Sequence, residues 1–235
     1  MEAAVAYSGG KDSTRAVYEC IKAGDEVCCL LNVIPDTAES CLFHYPNARW
    51  TKLQAEAMNL PLLSREVRGV NEADEFNTFT ELLAEAVTKY SVNCLYTGAV
   101  ASQYQRRRFE EAASKLGLKC INPLWGMSGE QILRDLLRLG FKTIIVGVSA
   151  AGLGPEWLGR VIDESAIDDL KRVSRRYGVN LSFEGGEAET FVVDAPIFNK
   201  SIEITSSEIR WDGYVGFFII KKARLVEKRS VKEVV

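Results

Sequence analysis

The sequence predicts an α/β fold: a doubly wound, mainly parallel sheet followed by a smaller C-terminal α+β unit. Three observations carry this. Short apolar runs alternate with helix-length segments through the first half of the chain, the pattern of parallel strands joined by crossover helices. Runs such as EVCCLLNVI (26–34) are apolar on both faces, as strands covered by helices on both sides must be. From Glu189 onward only strand-like segments remain, which sets the last part of the chain apart.

The elements follow in order. AAVAY (3–7) is a short buried strand closed by Ser8-Gly9-Gly10, after which Asp12 or Ser13 is expected to cap a helix running to about Ala23. Gly24-Asp25 ends that helix, strand 26–34 follows, and the two parallel strands make a right-handed crossover unit. The same logic gives helix 48–59, strand 60–67, helix 75–90, strand 92–97 and helix 103–116. Asn122-Pro123 marks the expected boundary between a domain over 1–123 and one over 124–235. Beyond it lie helix 128–139, strand 143–149 (TIIVGVS), a glycine-containing loop, helix 163–177 and the final strands.

Composition narrows the function classes. A chain of 235 residues, 47% hydrophobic and 26% charged, is a folded globular protein of one large or two small domains. Its longest apolar runs, 28–34 and 216–220, fall well short of the roughly 20 residues of a membrane span. The start has no basic stretch ahead of an apolar one, so no signal peptide is expected and a cytoplasmic location is. Six cysteines, none in a CxxC pair, make neither a disulfide framework nor a structural zinc site. The net charge of −3 gives no general attraction to nucleic acid, and none is expected as a partner. Residues 221–235 nevertheless carry net +4, leaving −7 for the rest. Two readings stay open there: a solvated last strand whose charges discourage edge pairing, or a surface for a partner, a second copy included.

The strongest motif is Ser8-Gly9-Gly10-Lys11-Asp12-Ser13, between the first strand and first helix. At the carboxyl end of a parallel strand, a helix N-terminus offers unpaired N–H groups and a positive dipole end, which suit phosphate oxygens. The glycines let the backbone approach a ligand, Ser8 and Ser13 add hydroxyls, and Lys11 adds charge. The loop is neither GxxxxGK[ST] nor GxGxxG, because Asp12 follows the lysine. SGGKDS resembles instead the loop of the PP-loop ATP pyrophosphatases, of the HUP (adenine nucleotide alpha hydrolase-like) fold. The resemblance implies ATP cleaved between its α and β phosphates, with magnesium bridging them and Asp12 a candidate ligand.

A second motif is EGGEAETFVVDAPIF (184–198), in which Glu184, Glu187 and Glu189 crowd three carboxylates beside Gly185 and Gly186. The chemistry alone allows either a metal- or ammonium-binding acidic pocket or a solvated hairpin loop. SQYQRRRFE (102–110) opens a helix with Arg106, Arg107 and Arg108 pointing in different directions, either toward a ligand or as a solvated basic face. His44 is the only histidine, and Trp157 and Arg160 sit in a loop beyond the TIIVGVS strand.

SGGKDS, FHYPN (43–47), LQAEAMNLP (53–61), GAVASQYQRRR (98–108), PLWG (123–126), EWLGR (156–160) and the EGGE segment together resemble the diphthine–ammonia ligases of the archaeal type. Longer eukaryotic relatives carry further C-terminal domains. The resemblance implies ATP-dependent amidation of diphthine, a modified histidine on translation elongation factor 2, giving diphthamide, AMP and pyrophosphate through an acyl-adenylate. It implies that Ser8 to Ser13, with His44 and Gly98, hold ATP. Lys11, Asp12, Glu184 and Glu187 would serve catalysis, the two glutamates at the acyl-transfer or ammonia end. Ser102, Tyr104, Arg107, Trp157, Arg160, Gly185, Gly186 and Glu189 would meet the protein substrate. With no glutaminase nucleophile and base in sight, free ammonia is the expected nitrogen donor. The rivals are a PP-loop enzyme modifying transfer RNA and a nucleotide-binding regulator without turnover.

Overall fold

The computed structural model describes residues 1–35, 47–67 and 72–228, which form two sheets. The first contains β1 (Glu2–Ala6), β2 (Glu26–Pro35), β3 (Leu62–Val67), β4 (Cys94–Tyr96) and β5 (Lys119–Ile121), all parallel, in the order β3-β2-β1-β4-β5. Its helices are α1 (Lys11–Lys22), α2 (Thr51–Met58), α3 (Glu72–Tyr90) and α4 (Gln103–Lys115). Alternation along β1 shows why the strand had to be apolar throughout. Ala3, Val5 and Tyr7 enter one core with Ala16 and Val17 of α1, while Ala4 and Ala6 enter another with Phe79 of α3 and Phe109 of α4.

The second sheet holds β6 (Lys142–Val148), β7 (Ala188–Asp194), β8 (Lys200–Trp211) and β9 (Gly216–Glu227), antiparallel in the order β7-β6-β9-β8. Two helices accompany it, α5 (Gly129–Arg138) and α6 (Glu164–Tyr177). Each starts on a side-chain cap, Ser128 accepting from the Gln131 N–H and Asp163 from the Ala166 N–H, and α6 stops at Gly178 in the left-handed region. Phe191, Val192 and Ile220 of this sheet share the core built by α1 and α2, so the two sheets meet across one apolar layer.

The predicted order of elements matches the structure with two differences. The edge strand β5, only partly buried, leaves no apolar pattern, whereas the equally short but buried β4 does. Neither Asp12 nor Ser13 caps α1: Gly10 is the capping residue, with no side-chain bond, and Ser13 lies within the first turn. Beyond Pro123 a second sheet starts, at Lys142. Among the described residues β9 pairs with β6 only at Gly216 and Phe217, so the charges of its basic stretch sit beside β8 alone. They pair within the hairpin, Lys221 with Glu208 at 2.7 Å and Arg224 with Glu203 at 2.6 Å. His44, Arg229 and Lys232 lie outside the described residues. Among the described residues no helix is long and apolar enough to cross a membrane.

Candidate active site

The glycine loop leaves β1 at its carboxyl end. Gly9 takes φ +83°, which a side chain would resist, and Gly10 is extended as it enters α1. Ser13 Oγ lies back over the loop, 3.2 Å from the Ser8 N–H it accepts and 3.2 Å from the Gly10 carbonyl oxygen. Helix geometry gives the first N–H groups of α1 no partner within the helix, and that of Lys11 finds one in the second sheet. The loop after β4 presses on this helix start: a Cβ at Gly98 would stand 2.7 Å from the Asp12 carbonyl carbon and the Ser13 nitrogen. Only glycine permits that approach.

The second sheet grips the same loop. The Val192 N–H donates to the Gly9 carbonyl at 3.1 Å, and the Lys11 N–H donates to Thr190 Oγ1 at 3.0 Å. Gln54 of α2 joins the two sides, its Nε2 donating to the carbonyls of Gly9 at 2.9 Å and Val192 at 2.8 Å. The Lys11 ammonium is 2.6 Å from Asp12 Oδ2, donates to the Ser182 carbonyl at 2.6 Å and lies 5.0 Å from the centre of the Phe183 ring. Lys11 is thus buried, at 2% exposure, against the segment that leads into EGGE.

In the EGGE segment the glutamates do different things. Glu184 accepts from the N–H groups of Val100 at 2.9 Å, Ala101 at 2.6 Å and Ser102, tying the segment to the start of α4. Glu187 folds back on its own turn, accepting from Gly185 at 2.9 Å and Asn180 at 3.2 Å. Glu189 instead lines a cleft of about 440 Å³ between the two sheets. Ser8, Gly10, Lys11, Asp12 and Ser13 form one wall of that cleft. Gly98, Ser102 and Tyr104 form a second, and Glu184, Gly185 and Gly186 a third. Motifs more than 170 residues apart in sequence thus face one another.

Several expected residues stand elsewhere. Gly9 turns away toward Gln54, and Arg107 is exposed on α4 between Arg106, stacked 4.5 Å from the Trp125 ring centre, and Arg108, 4.7 Å from that of Phe76. Trp157 is buried with Leu158 and Ile162, and the Arg160 guanidinium lies 4.4 Å from its ring centre while pairing with Asp169 at 2.5 Å. Gln54, Thr190 and Ser182 escaped sequence reading. One signal for Gln54 existed, since Thr51, Gln54, Ala55 and Met58 share the buried face of α2 and a glutamine there needs a polar partner.

Burial pushes the thiols of Cys20, Cys29 and Cys120 up to about 12, so these offer no activated nucleophile. Among the described residues no group of three or more His, Cys, Asp or Glu side chains is placed to hold a metal ion.

The parallel sheet, with its glycine loop and helix N-terminus at the end of β1, defines an α/β protein of the phosphate-binding kind. Comparison with known proteins takes the class further. The diphthamide synthase N-terminal domain matches residues 1–120 and the diphthamide synthase C-terminal domain residues 128–226. A diphthine–ammonia ligase of Homo sapiens is 35% identical over 227 residues, 89% of this chain and 85% of the human one. That of Bos taurus is 35% identical over 97% of this chain and 91% of its own. The chain belongs to the diphthine–ammonia ligase family, a family of ligase enzymes. The relative from Schizosaccharomyces pombe, 32% identical over 86% of this chain, is matched over only 36% of its own length. Eukaryotic relatives are therefore of both lengths, and short length is no mark of the archaeal type. A solved "predicted subunit of tRNA methyltransferase" from Methanocaldococcus jannaschii aligns over 83% of this chain and 98% of its own, at 14% identity. Its TM-score of 0.41 is too low to bear on fold or function.

Proposed function

We propose that the protein amidates the carboxylate of diphthine on translation elongation factor 2, consuming ATP and free ammonia and releasing AMP and pyrophosphate. The observation that carries this reading is the single cleft in which the SGGKDS loop and the EGGE segment face each other. A carboxylate resists attack by ammonia until one oxygen becomes a good leaving group. Its attack on the α-phosphorus of ATP expels pyrophosphate and forms an acyl-adenylate. Ammonia then adds to the acyl carbon, loses a proton, and AMP departs with the former carboxylate oxygen.

The chain's residues suit the charges that develop. N–H groups at the start of α1 and the hydroxyls of Ser8 and Ser13 face the pyrophosphate, where fixed donors stabilise negative charge as it builds. Lys11 would join them by exchanging its bond to the Ser182 carbonyl for a phosphate oxygen, so phosphate binding and the segment before EGGE are coupled. Glu184 and Glu187, occupied with backbone N–H groups, hold the acyl-transfer end in shape. Glu189, which lines the cleft, is the group to receive the proton from ammonia. Asp12, the carboxylate beside the loop, fits one protein ligand to a magnesium ion otherwise held by phosphates, an ion that would neutralise their charge. The reading also places the protein in the cytoplasm, with its substrate factor.

The test is incubation with ATP, magnesium, ammonium and elongation factor 2 bearing diphthine, following AMP, pyrophosphate and the mass of the factor together. One pyrophosphate and one AMP per acid converted to amide is the expected result. Pyrophosphate release without a change in the factor's mass would overturn the assignment of substrate, and turnover only with added transfer RNA would replace it.

A further inference from the structure

Gln54 is fully buried on α2, outside the cleft, yet its one donor group is spent entirely on two carbonyls, those of Gly9 and Val192. In a trans peptide the C=O of one residue and the N–H of the next point in opposite directions. With the Gly9 carbonyl turned to Gln54 Nε2 and the Val192 N–H, the Gly10 N–H is aimed the other way, toward the cleft that Gly10 lines. Among the described residues that N–H has no protein acceptor. Two glycines flank the peptide, so no Cβ restrains it from flipping, and only its hydrogen bonds fix its direction.

We propose that Gln54 is a positioning residue for the phosphate site: by holding the Gly9 carbonyl it locks the Gly9-Gly10 peptide with the Gly10 N–H presented to a phosphate oxygen. The inference rests on the reading of this loop as the pyrophosphate site. It also accounts for the absence of a side chain at position 9, since a Cβ there would collide with Gln54 Oε1. Because Gln54 bridges α2 to β7, the same amide makes the second sheet a support for the phosphate loop.

The experiment compares Gln54→Met and Gln54→Glu, which keep the bulk of the side chain and lose the amide donor, with Asn32→Leu. Asn32 is equally buried and bonds to Ala48 in the turn before α2 and to Thr51 at its start, so its loss costs packing and hydrogen bonds while leaving the donor to the Gly9 carbonyl in place. Affinity for inorganic pyrophosphate is measured by calorimetry, with thermal midpoints and the amide 15N–1H signal of Gly10 recorded alongside. The expected result is pyrophosphate affinity weakened about tenfold or more in both Gln54 variants, because one aimed donor to a charged oxygen is lost. The Gly10 signal should cease to shift on titration, while Asn32→Leu, though less stable, binds as the native chain does. Native affinity in a folded Gln54 variant would overturn the role of Gln54, as would a matching loss in Asn32→Leu. Failure of the native protein itself to bind pyrophosphate would overturn the phosphate-site reading beneath it.

Discussion

The phosphate end of the cleft and the β8–β9 hairpin are both rich in polar contacts, and they use them in opposite ways. Around the phosphate loop, Gln54, Lys11 and Thr190 are buried; Gln54 and Thr190 each hold a backbone group of the loop, and the Lys11 ammonium holds the Ser182 carbonyl. Along the hairpin, Glu203, Glu208, Lys221 and Arg224 pair on the surface, where solvent screens them. A buried donor that loses its partner leaves an unsatisfied carbonyl, whereas an exposed ion that loses its partner regains water. The difference teaches where specificity sits: a lost bond at the cleft carries a cost that a lost pair on the hairpin does not.

The largest effect is expected at Lys11. Lys11→Ala should cut pyrophosphate release by at least 100-fold, within the range for loss of one preorganised charge donor, measured by steady-state assay with stability recorded in parallel. A tenfold or smaller loss would mean that the backbone N–H groups carry the loop alone.

Gly98→Ala comes next, since the new methyl group would stand 2.7 Å from the backbone of Asp12 and Ser13. Displacing the start of α1 should cost roughly 1–3 kcal/mol of stability and weaken ATP binding, and denaturant unfolding with and without nucleotide separates the two. Unchanged nucleotide affinity would show that the loop after β4 is not part of the phosphate wall.

Glu184→Ala strips an acceptor from three backbone N–H groups at the start of α4. A partly exposed site lets water replace it in part, so a loss of about 1–3 kcal/mol is expected in chemical denaturation. The KM for the protein substrate should rise more than that for ATP. Equal changes in both would remove the distinction between the two ends of the cleft.

The smallest effect belongs to the hairpin. Hydrogen bonds first from Arg210 and then from Lys221 hold the Glu208 carboxyl down at about 2, against an ordinary 4.5. A depressed pKa contributes stability that is fully present above pH 4.5 and lost as pH falls toward 2. Glu208→Gln should therefore leave activity at pH 7 unchanged and flatten part of the acid limb of an unfolding curve between those limits. Any loss of amidation in this variant would break the contrast between cleft and hairpin.

Much of this was legible in the sequence, for physical reasons that differ by region. Strands such as β2 announce themselves because burial on both faces forces continuous apolar residues, and SGGKDS because a phosphate loop needs glycine and a helix start together. β5 left no trace because its residues are only partly buried at the sheet edge, while the equally short β4 is buried and apolar. That Glu184 and Glu189 line the cleft while Glu187 folds back on backbone N–H groups follows from a turn at Gly185 and Gly186, which composition does not specify. The grip of β7 on the phosphate loop joins Thr190 to Lys11 across 179 positions, a contact no local pattern records.

The most direct measurement is a crystal structure with a non-cleavable α,β-methylene analogue of ATP and magnesium. The account predicts phosphates at the Gly10 N–H and the start of α1, with the Lys11 ammonium moved off the Ser182 carbonyl. Phosphates seated instead beside Arg49 and Lys52, in the separate groove reaching Ile34 of β2 and Ser64 of β3, would contradict it.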